Sequence, residues 1–287
     1  MAADPTVIDQ PAELAVWSDT QRTAGKRVAL VPTMGALHDG HLALIAEARR
    51  QADVVIVSIF VNPLQFNRRD DLDAYPRPLE QDIAACRQIG VDAIFAPSAS
   101  TMYPEGFQTH VEPGALADVL DGPSRPGHFR GVTTVVAKLF GAARPHVAIF
   151  GEKDFQQLAI IRRMVNDLDM AIDIVGVATV READGVALSS RNRRLSPDER
   201  AAAVCVPQAL AAMAAATSEG ERDCHHLQAV GRAAIATQPL ASLEQLEIVD
   251  RDTLSPLITI EGNRAGAIAV IAVWFSEVRL IDNRLLG

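Results

Sequence analysis

The sequence predicts an α/β protein: a doubly wound parallel sheet in an N-terminal domain, joined to a smaller α+β C-terminal domain. Three observations carry this expectation. Apolar, β-branched runs alternate with helical patterns through the first half of the chain. One of them, Asp53-Val-Val-Ile-Val-Ser-Ile-Phe-Val61, is apolar without alternation, as a strand covered on both faces must be. Near Val180 the pattern changes, and Ala-rich helices followed by apolar or alternating strands take over. That change sets the expected domains at residues 1–179 and 180–287.

Each element follows in order. Arg27–Val31 reads as a strand ending at Pro32, and Leu42–Arg50 as a helix. The Asp53–Val61 strand precedes a helix over Leu79–Gln88 and a short strand over Asp92–Ala96. Gly131–Phe140 reads as a helix, His146–Phe150 as a strand, Phe155–Leu168 as a helix and Asp173–Val177 as a strand. Ser196-Pro-Asp-Glu199 is a helix start, with Ser as N-cap, Pro at the first helical position and acids in the first turn. Helices are expected over Pro197–Thr217 and Cys224–Thr237. Strands follow over Leu246–Val249, Ala267–Trp274 and Val278–Ile281. No internal repeat is present.

Composition narrows the function classes. The net charge of −9 argues against a protein that grips nucleic acid. Three cysteines without metal or paired spacing indicate reduced thiols. Met1–Gln10 lacks the basic start and apolar run of a secretory leader, and no apolar stretch is expected to approach the ~20 residues that span a bilayer. The expectation is a cytoplasmic protein with no membrane partner.

Five segments carry chemistry. Val31-Pro-Thr-Met-Gly-Ala-Leu-His-Asp-Gly-His-Leu42 joins the first predicted strand to the first predicted helix. Ligands of open α/β sheets bind beyond the carboxyl ends of the strands, and helix starts favour phosphate. Gly35 and Gly40 let a ring or phosphate approach the backbone, and His38 and His41 are spaced to share one face of a first helical turn. Two imidazoles there suit phosphate oxygens and the added charge of a phosphoryl transition state. Phe60-Val-Asn-Pro-Leu-Gln-Phe66 follows the next strand and offers Asn62 and Gln65, carboxamides suited to a hydroxyl or carboxylate.

Phe150-Gly-Glu-Lys-Asp-Phe-Gln-Gln-Leu158 runs from strand into helix. Gly151 allows close approach, Lys153 is a point charge for phosphate, and Gln157 lies one turn into the helix. Val186-Ala-Leu-Ser-Ser-Arg-Asn-Arg-Arg194 supplies Ser189, Ser190 and Arg191, a phosphate-binding set, while Arg193 and Arg194 read as solvated charges. Ser124-Arg-Pro-Gly-His-Phe-Arg-Gly131 adds Arg125 and His128 as further ligands. The segments are expected to gather around one cleft. The absence of G-x-G-x-x-G and of a Walker lysine loop leaves the phosphates to the H-x-G-H turn and basic side chains.

These strings, with Tyr75-Pro-Arg77, Gly127-His-Phe-Arg-Gly-Val132 and Ser189-Ser-Arg-Asn192, closely resemble those of the bacterial pantothenate synthetase (pantoate–β-alanine ligase) family, over nearly the whole chain. The resemblance implies ATP-dependent condensation of pantoate with β-alanine through a pantoyl adenylate, releasing pyrophosphate and AMP. It also implies a Rossmann-like N-terminal domain, a C-terminal domain that acts as a lid, a Mg2+ requirement and a homodimer. Carried over residue by residue, it places Met34, Gly35, Ala36, Leu37, His38, Asp39, Gly40 and His41 at ATP, with His41 as proton donor. Gly151, Glu152, Lys153, Asp154, Val180, Leu188, Ser189, Ser190 and Arg191 complete that site. The expected catalytic set is His41, His38, Lys153, Ser189 and Arg191. Gln65, Gln157, Asn62, Met34, Arg125 and His128 are expected at pantoate or β-alanine.

The sequence departs from the family pattern at three places. Leu188 stands where Met is usual, and Phe155 where Tyr is common. The stretch Leu79-Glu-Gln-Asp82 leaves only Asp82 as a carry-over to the metal, with Mg2+ held mainly by ATP. Two other readings fit parts of the same residues. One is an H-x-G-H nucleotidylyltransferase acting on a phosphate, against which Asn62, Gln65 and Gln157 argue. The other is a non-catalytic nucleotide-binding module, against which Lys153 and the two histidines argue.

Overall fold

Parallel strands buried on both faces need β-branched residues without alternation, and the chain supplies them. The computed structural model describes residues 4–261 and 266–287, so residues 1–3 of the Met1–Gln10 stretch lie outside it. Six strands, β1 (Thr6–Ile8), β2 (Val28–Thr33), β3 (Val54–Ile59), β4 (Ala93–Phe95), β5 (Val147–Gly151) and β6 (Asp173–Val177), form one sheet in the order β1-β4-β3-β2-β5-β6. All pairings are parallel. The connecting helices are α1 (Pro11–Thr23), α2 (Asp39–Gln51), α3 (Arg69–Asp73), α4 (Leu79–Ile89), α5 (Ala99–Met102), α6 (Asp121–Ser124), α7 (His128–Ala143) and α8 (Phe155–Asp167).

The C-terminal elements are α9 (Pro197–Ala202), α10 (Cys205–Ser218), α11 (Cys224–Ala236) and an antiparallel sheet of β7 (Ser242–Asp250), β8 (Ala267–Phe275) and β9 (Val278–Leu286). The expected α/β class holds. The chain divides into two compact units, Met1–Glu152 with Ile160–Ala178, and Lys153–Ala159 with Thr179–Gly287. Lys153–Ala159, placed in the first domain by the sequence, therefore groups with the second unit. The first unit's core includes Val31, Val57, Ile94 and Ile149, and the second's includes Leu210, Met213, Leu227 and Phe275.

Three departures from the sequence expectation have physical causes. The strand expected to stop at Pro32 continues to Thr33, because pairing with β3 runs on to Thr33↔Ile59. Residues of one strand face alternate neighbours. Val28 accepts from His146 on the β5 side and Thr33 accepts from Phe60 on the β3 side, so Pro32 faces β5. It has no N–H to give there. Pairing between β2 and β5 accordingly covers only Ala29↔Val147 and Leu30↔Ala148, while β5 stays paired with β6 to Gly151. The two strands part toward their carboxyl ends, at the point where strand order reverses. That is where open α/β sheets bind ligands.

The helix expected over Pro197–Thr217 is two helices, broken at Ala203–Val204. Pro207 explains the break: inside a continuous helix its ring would clash with the Ala203 carbonyl, whereas in the first turn of α10 it is tolerated. The whole span Pro197–Ser218 is nevertheless 22 residues of length and composition able to cross a membrane, which corrects the expectation that no such stretch exists. Its buried residues Ala209, Leu210 and Met213 belong to the core of the second unit. The third departure is the β1–α1 pair, which the sequence reading missed. β1 is three residues long at a sheet edge, and α1 buries only Leu14 and Ser18, so neither carries a clear apolar period.

All three cysteines are reduced and buried. Burial pushes the Cys86 thiol up to about 12 and Cys205 up to about 11, and raises Cys224 as well. Thiolate is the reactive form. An aromatic disulfide reagent at pH 8 should therefore leave the native protein largely unlabelled and react with three thiols after denaturation. Fast labelling of the native protein would contradict this burial.

Candidate active site

The loop after β2 is held from within. Thr33 Oγ1 donates to Ser58 O at 2.7 Å and accepts Gly35 N at 3.1 Å. Gly35 and Ala36 both have left-handed backbone, with φ of +80° and +51°. The cost of that conformation at Ala36 is offset by Asp82 on α4. The Asp82 carboxylate is 3% exposed and accepts Ala36 N at 2.9 Å and Leu37 N at 2.8 Å. A side chain at position 35 would collide with it, since a Cβ there would lie 2.8 Å from Asp82 Oδ2. Asp82, expected beside a metal, thus has each of its oxygens on a backbone amide of the loop after β2.

The two histidines cap α2 reciprocally. His38 is the N-cap, and its Nδ1 accepts Gly40 N at 3.1 Å. His41 Nδ1 accepts His38 N at 3.3 Å, closing a capping box in which imidazoles take the roles usual for Ser and Glu. The rings lie 4.1 Å apart, tilted by 39°. An Nδ1 that accepts must keep its lone pair, so each neutral ring carries its hydrogen on Nε2. The helix-start amides that the sequence offered to phosphate are therefore largely satisfied inside the loop.

The carboxamide turn sits at the end of β3. Asn62 caps the 3-10 turn Pro63–Gln65, accepting Leu64 N at 3.3 Å. Its Nδ2 donates to Gln65 Oε1 at 3.0 Å and to Gly131 O at 3.1 Å. Gly131 is required by contact rather than by backbone freedom: a Cβ there would lie 2.3 Å from Leu64 O. α7 runs through Gly131 and starts three residues before the expected position. His128, the first residue of that helix, is buried, and its Nδ1 lies 2.7 Å from Gln65 O. A carbonyl only accepts, so His128 Nδ1 is the donor and the ring braces the turn. Arg125 is half-buried just upstream of α7.

Within the second unit, residues distant in sequence meet in one shallow pocket. Lys153, Ser189 and Asn192 line it together with Arg279 and Asp282. Lys153 O accepts Asn283 Nδ2 at 3.0 Å. Val180 and Leu188 are joined by a backbone hydrogen bond of 2.9 Å, which closes the hairpin that delivers Ser189. Ser189 caps the 3-10 turn Ser190–Arg194, accepting Arg191 N at 3.2 Å. Asn192 donates to Glu182 Oε1 and Ala187 O, fixing that turn on the hairpin. Glu182 and Asp184 both pair with Arg200, which holds their carboxyls below the usual range. Gln157 is half-buried on α8 and Asp154 is exposed before it. Arg193 and Arg194 are exposed, as expected.

A family profile described as pantoate-beta-alanine ligase matches residues 6–285. The chain belongs to the pantoate–β-alanine ligase family. As a member it is a ligase that forms an amide bond. It is 52% identical to a pantothenate synthetase of Citrifermentans bemidjiense, over 98% of this chain and 99% of that one. The crystal structure of pantothenate synthetase from Thermus thermophilus superposes with a TM-score of 0.90 at 46% identity, covering 98% and 99% of the two chains. A pantoate-beta-alanine ligase from Francisella tularensis, complexed with beta-gamma ATP and beta-alanine, gives 0.78 at 33% identity, covering 98% and 97%.

Sequence reasoning named His38, His41, Asn62 and Gln65, placed Asp82 at a metal and not at the loop, and missed Tyr103. The Asp82 contact with the loop spans 46 positions, beyond any local pattern. Tyr103, whose hydroxyl lies 2.7 Å from Asn62 Oδ1, sits after a helix of four residues and carried no motif. Asp82→Asn keeps one acceptor and turns an NH2 group toward the second amide. It should lower the unfolding free energy by about 1.5–3 kcal/mol, the worth of a hydrogen bond to a charged group. A denaturant titration giving the wild-type midpoint would show that the loop does not depend on it.

Proposed function

We propose that this ligase joins pantoate to β-alanine in two steps, through a pantoyl adenylate. The single observation that carries the reading is the reciprocal His38–His41 cap beside the parting of β2 and β5. It is supported by the Francisella tularensis relative, whose complex holds ATP and β-alanine. A carboxylate oxygen of pantoate attacks the α-phosphorus of ATP, the bond to the bridging oxygen breaks, and pyrophosphate leaves. The β-alanine amine then attacks the acyl carbon and loses a proton, the acyl–oxygen bond breaks, and AMP leaves.

The residues need to align the reactants and meet negative charge as it develops. In this reading Met34–His41 bind ATP, and His38 and His41 donate from Nε2 to phosphate oxygens. With Nδ1 accepting in the cap, a neutral His41 serves as a donor, not as a base. Gln65 and Gln157 bind pantoate. Lys153 and Arg191 neutralise phosphate charge, Ser189 donates a hydrogen bond to a phosphate oxygen, and Gly151, Glu152, Asp154, Val180, Leu188 and Ser190 line the nucleotide. Asn62 and His128 act through the turn they hold.

Mg2+ enters this reading as the counter-ion of ATP. Among the described residues no group of three His, Cys, Asp or Glu side chains is placed to hold a metal, and both Asp82 oxygens accept amides. The side chains present do not make a protein-built magnesium site, and no step above runs through one. Cytoplasmic residence, a homodimeric assembly and a lid role for the C-terminal unit belong to the same reading and rest on the family resemblance.

The mechanism makes an isotopic prediction. With 18O in the pantoate carboxylate, one labelled oxygen should appear in AMP, because the oxygen that bonds to the α-phosphorus stays there when the amide forms. Labelled inorganic phosphate with ADP, or unlabelled AMP, would overturn the adenylate route. His41→Ala should slow pantoate-dependent pyrophosphate release by roughly 10²–10³-fold, the cost of one preorganised donor. Near-normal turnover would remove His41 from the chemistry.

A further inference from the structure

Asn62 is a hub with its hydrogen-bonding groups engaged. Its side chain is 1% exposed to solvent. Two of its partners are backbone groups whose roles cannot be exchanged. Leu64 N–H only donates, so it must face the carboxamide oxygen, at 3.3 Å. Gly131 C=O only accepts, so it must face the carboxamide nitrogen, at 3.1 Å. The orientation of Asn62 follows from these two contacts. The Tyr103 hydroxyl, 2.7 Å from Oδ1, is then the donor in that pair. The second Nδ2 hydrogen points at Gln65, 3.0 Å away, so Gln65 must present its oxygen there.

Gln65 therefore turns its Nε2 outward, where its partner is Met34 Sδ at 3.2 Å. A thioether is a weak acceptor. A carboxylate or hydroxyl oxygen would displace it readily. We propose that Asn62, oriented by Leu64 N–H and Gly131 C=O and held in that orientation by the Tyr103 hydroxyl, is a positioning residue that sets the polarity of Gln65, so that the acid subsite offers N–H donors and selects an anionic substrate. The proposal rests on the reading of Gln65 as a pantoate ligand. With the opposite polarity Gln65 would show a carbonyl oxygen, which repels a carboxylate and prefers a donor such as a primary amide.

Tyr103 is built for a constant role. Its ring packs against Phe60 at 6.1 Å and edge-on to Phe107 at 5.0 Å between centroids. Lys138 Nζ lies 5.2 Å from the Phe107 centroid and 5.9 Å from that of Tyr103. Burial raises the phenol above its ordinary value, so it stays protonated and keeps donating at any working pH. The relay runs one way, from hydroxyl to carboxamide to carboxamide, and it ends in a donor.

The test uses the full-length enzyme and steady-state kinetics with pantoate, ATP and β-alanine. Tyr103→Phe should raise the pantoate KM by about 2- to 10-fold, the equivalent of one neutral hydrogen bond, and leave the ATP KM unchanged. Asn62→Asp accepts from Tyr103 and Leu64 but cannot donate to Gln65, so it should raise the pantoate KM further. It should also shrink the preference for pantoate over its primary amide, measured as competitive inhibition by the amide. The double variant should match Asn62→Asp alone, because Tyr103 acts only through Asn62. An unchanged pantoate KM in Tyr103→Phe would overturn the proposal, as would an equal rise in both KM values or full additivity in the double variant. If Asn62→Asp does not fold, Tyr103→Phe decides the question. A wild-type enzyme without pantoate-dependent AMP release would instead refute the underlying reading of the substrate.

Discussion

The missing N–H of Pro32 is the constraint on which the rest of the first unit's architecture depends. In an open parallel sheet, ligands bind outside the carboxyl ends of the strands where strand order reverses, here between β2 and β5. Pro32 ends the pairing of β2 with β5 after Leu30 and lets β2 continue along β3 alone. The strand then turns into a loop whose amides are satisfied locally or by Asp82. Because Thr33 and Asp82 hold the loop and the histidines cap one another, both rings are set by the protein's own hydrogen bonds. Preorganisation of this kind is what charge stabilisation in a transition state requires.

The carboxamide turn shows the same economy by a different route. Gly131 brings α7 against Leu64 and Gln65, His128 donates to the Gln65 carbonyl, and Asn62 ties the turn to the helix. Side chains that read as ligands in the sequence are engaged in holding the turn that carries Gln65. Asn62 and His128 are alike in this respect. Their polar character is needed because they are buried, and a buried polar atom must be partnered.

The strands were legible because burial on both faces writes itself as uninterrupted Val and Ile. The H-x-G-H turn was legible because it joins a strand to a helix. What could not be read were relations between distant positions. Nothing local distinguishes Asp82 from any first-turn acid, yet it holds a loop 46 residues away. Tyr103 looked like an ordinary loop aromatic. The break between α9 and α10 was readable in principle, since Pro207 stands where a continuous helix cannot hold it, but the alanine-rich pattern around it masked the signal. β1 and α1 lay below the threshold of periodicity because they bury so little.

The reciprocal cap on α2 makes the two nitrogens of each imidazole unequal addresses. A ligand that takes hydrogen bonds from Nε2 leaves the helix start intact. An electrophile or metal that seizes Nδ1 removes the acceptor on which the first turn is built, and begins to unwind α2 from its end. Reagents aimed at these histidines should therefore divide into reversible occupants and agents that damage the fold. The dividing line is a choice between two atoms of one ring.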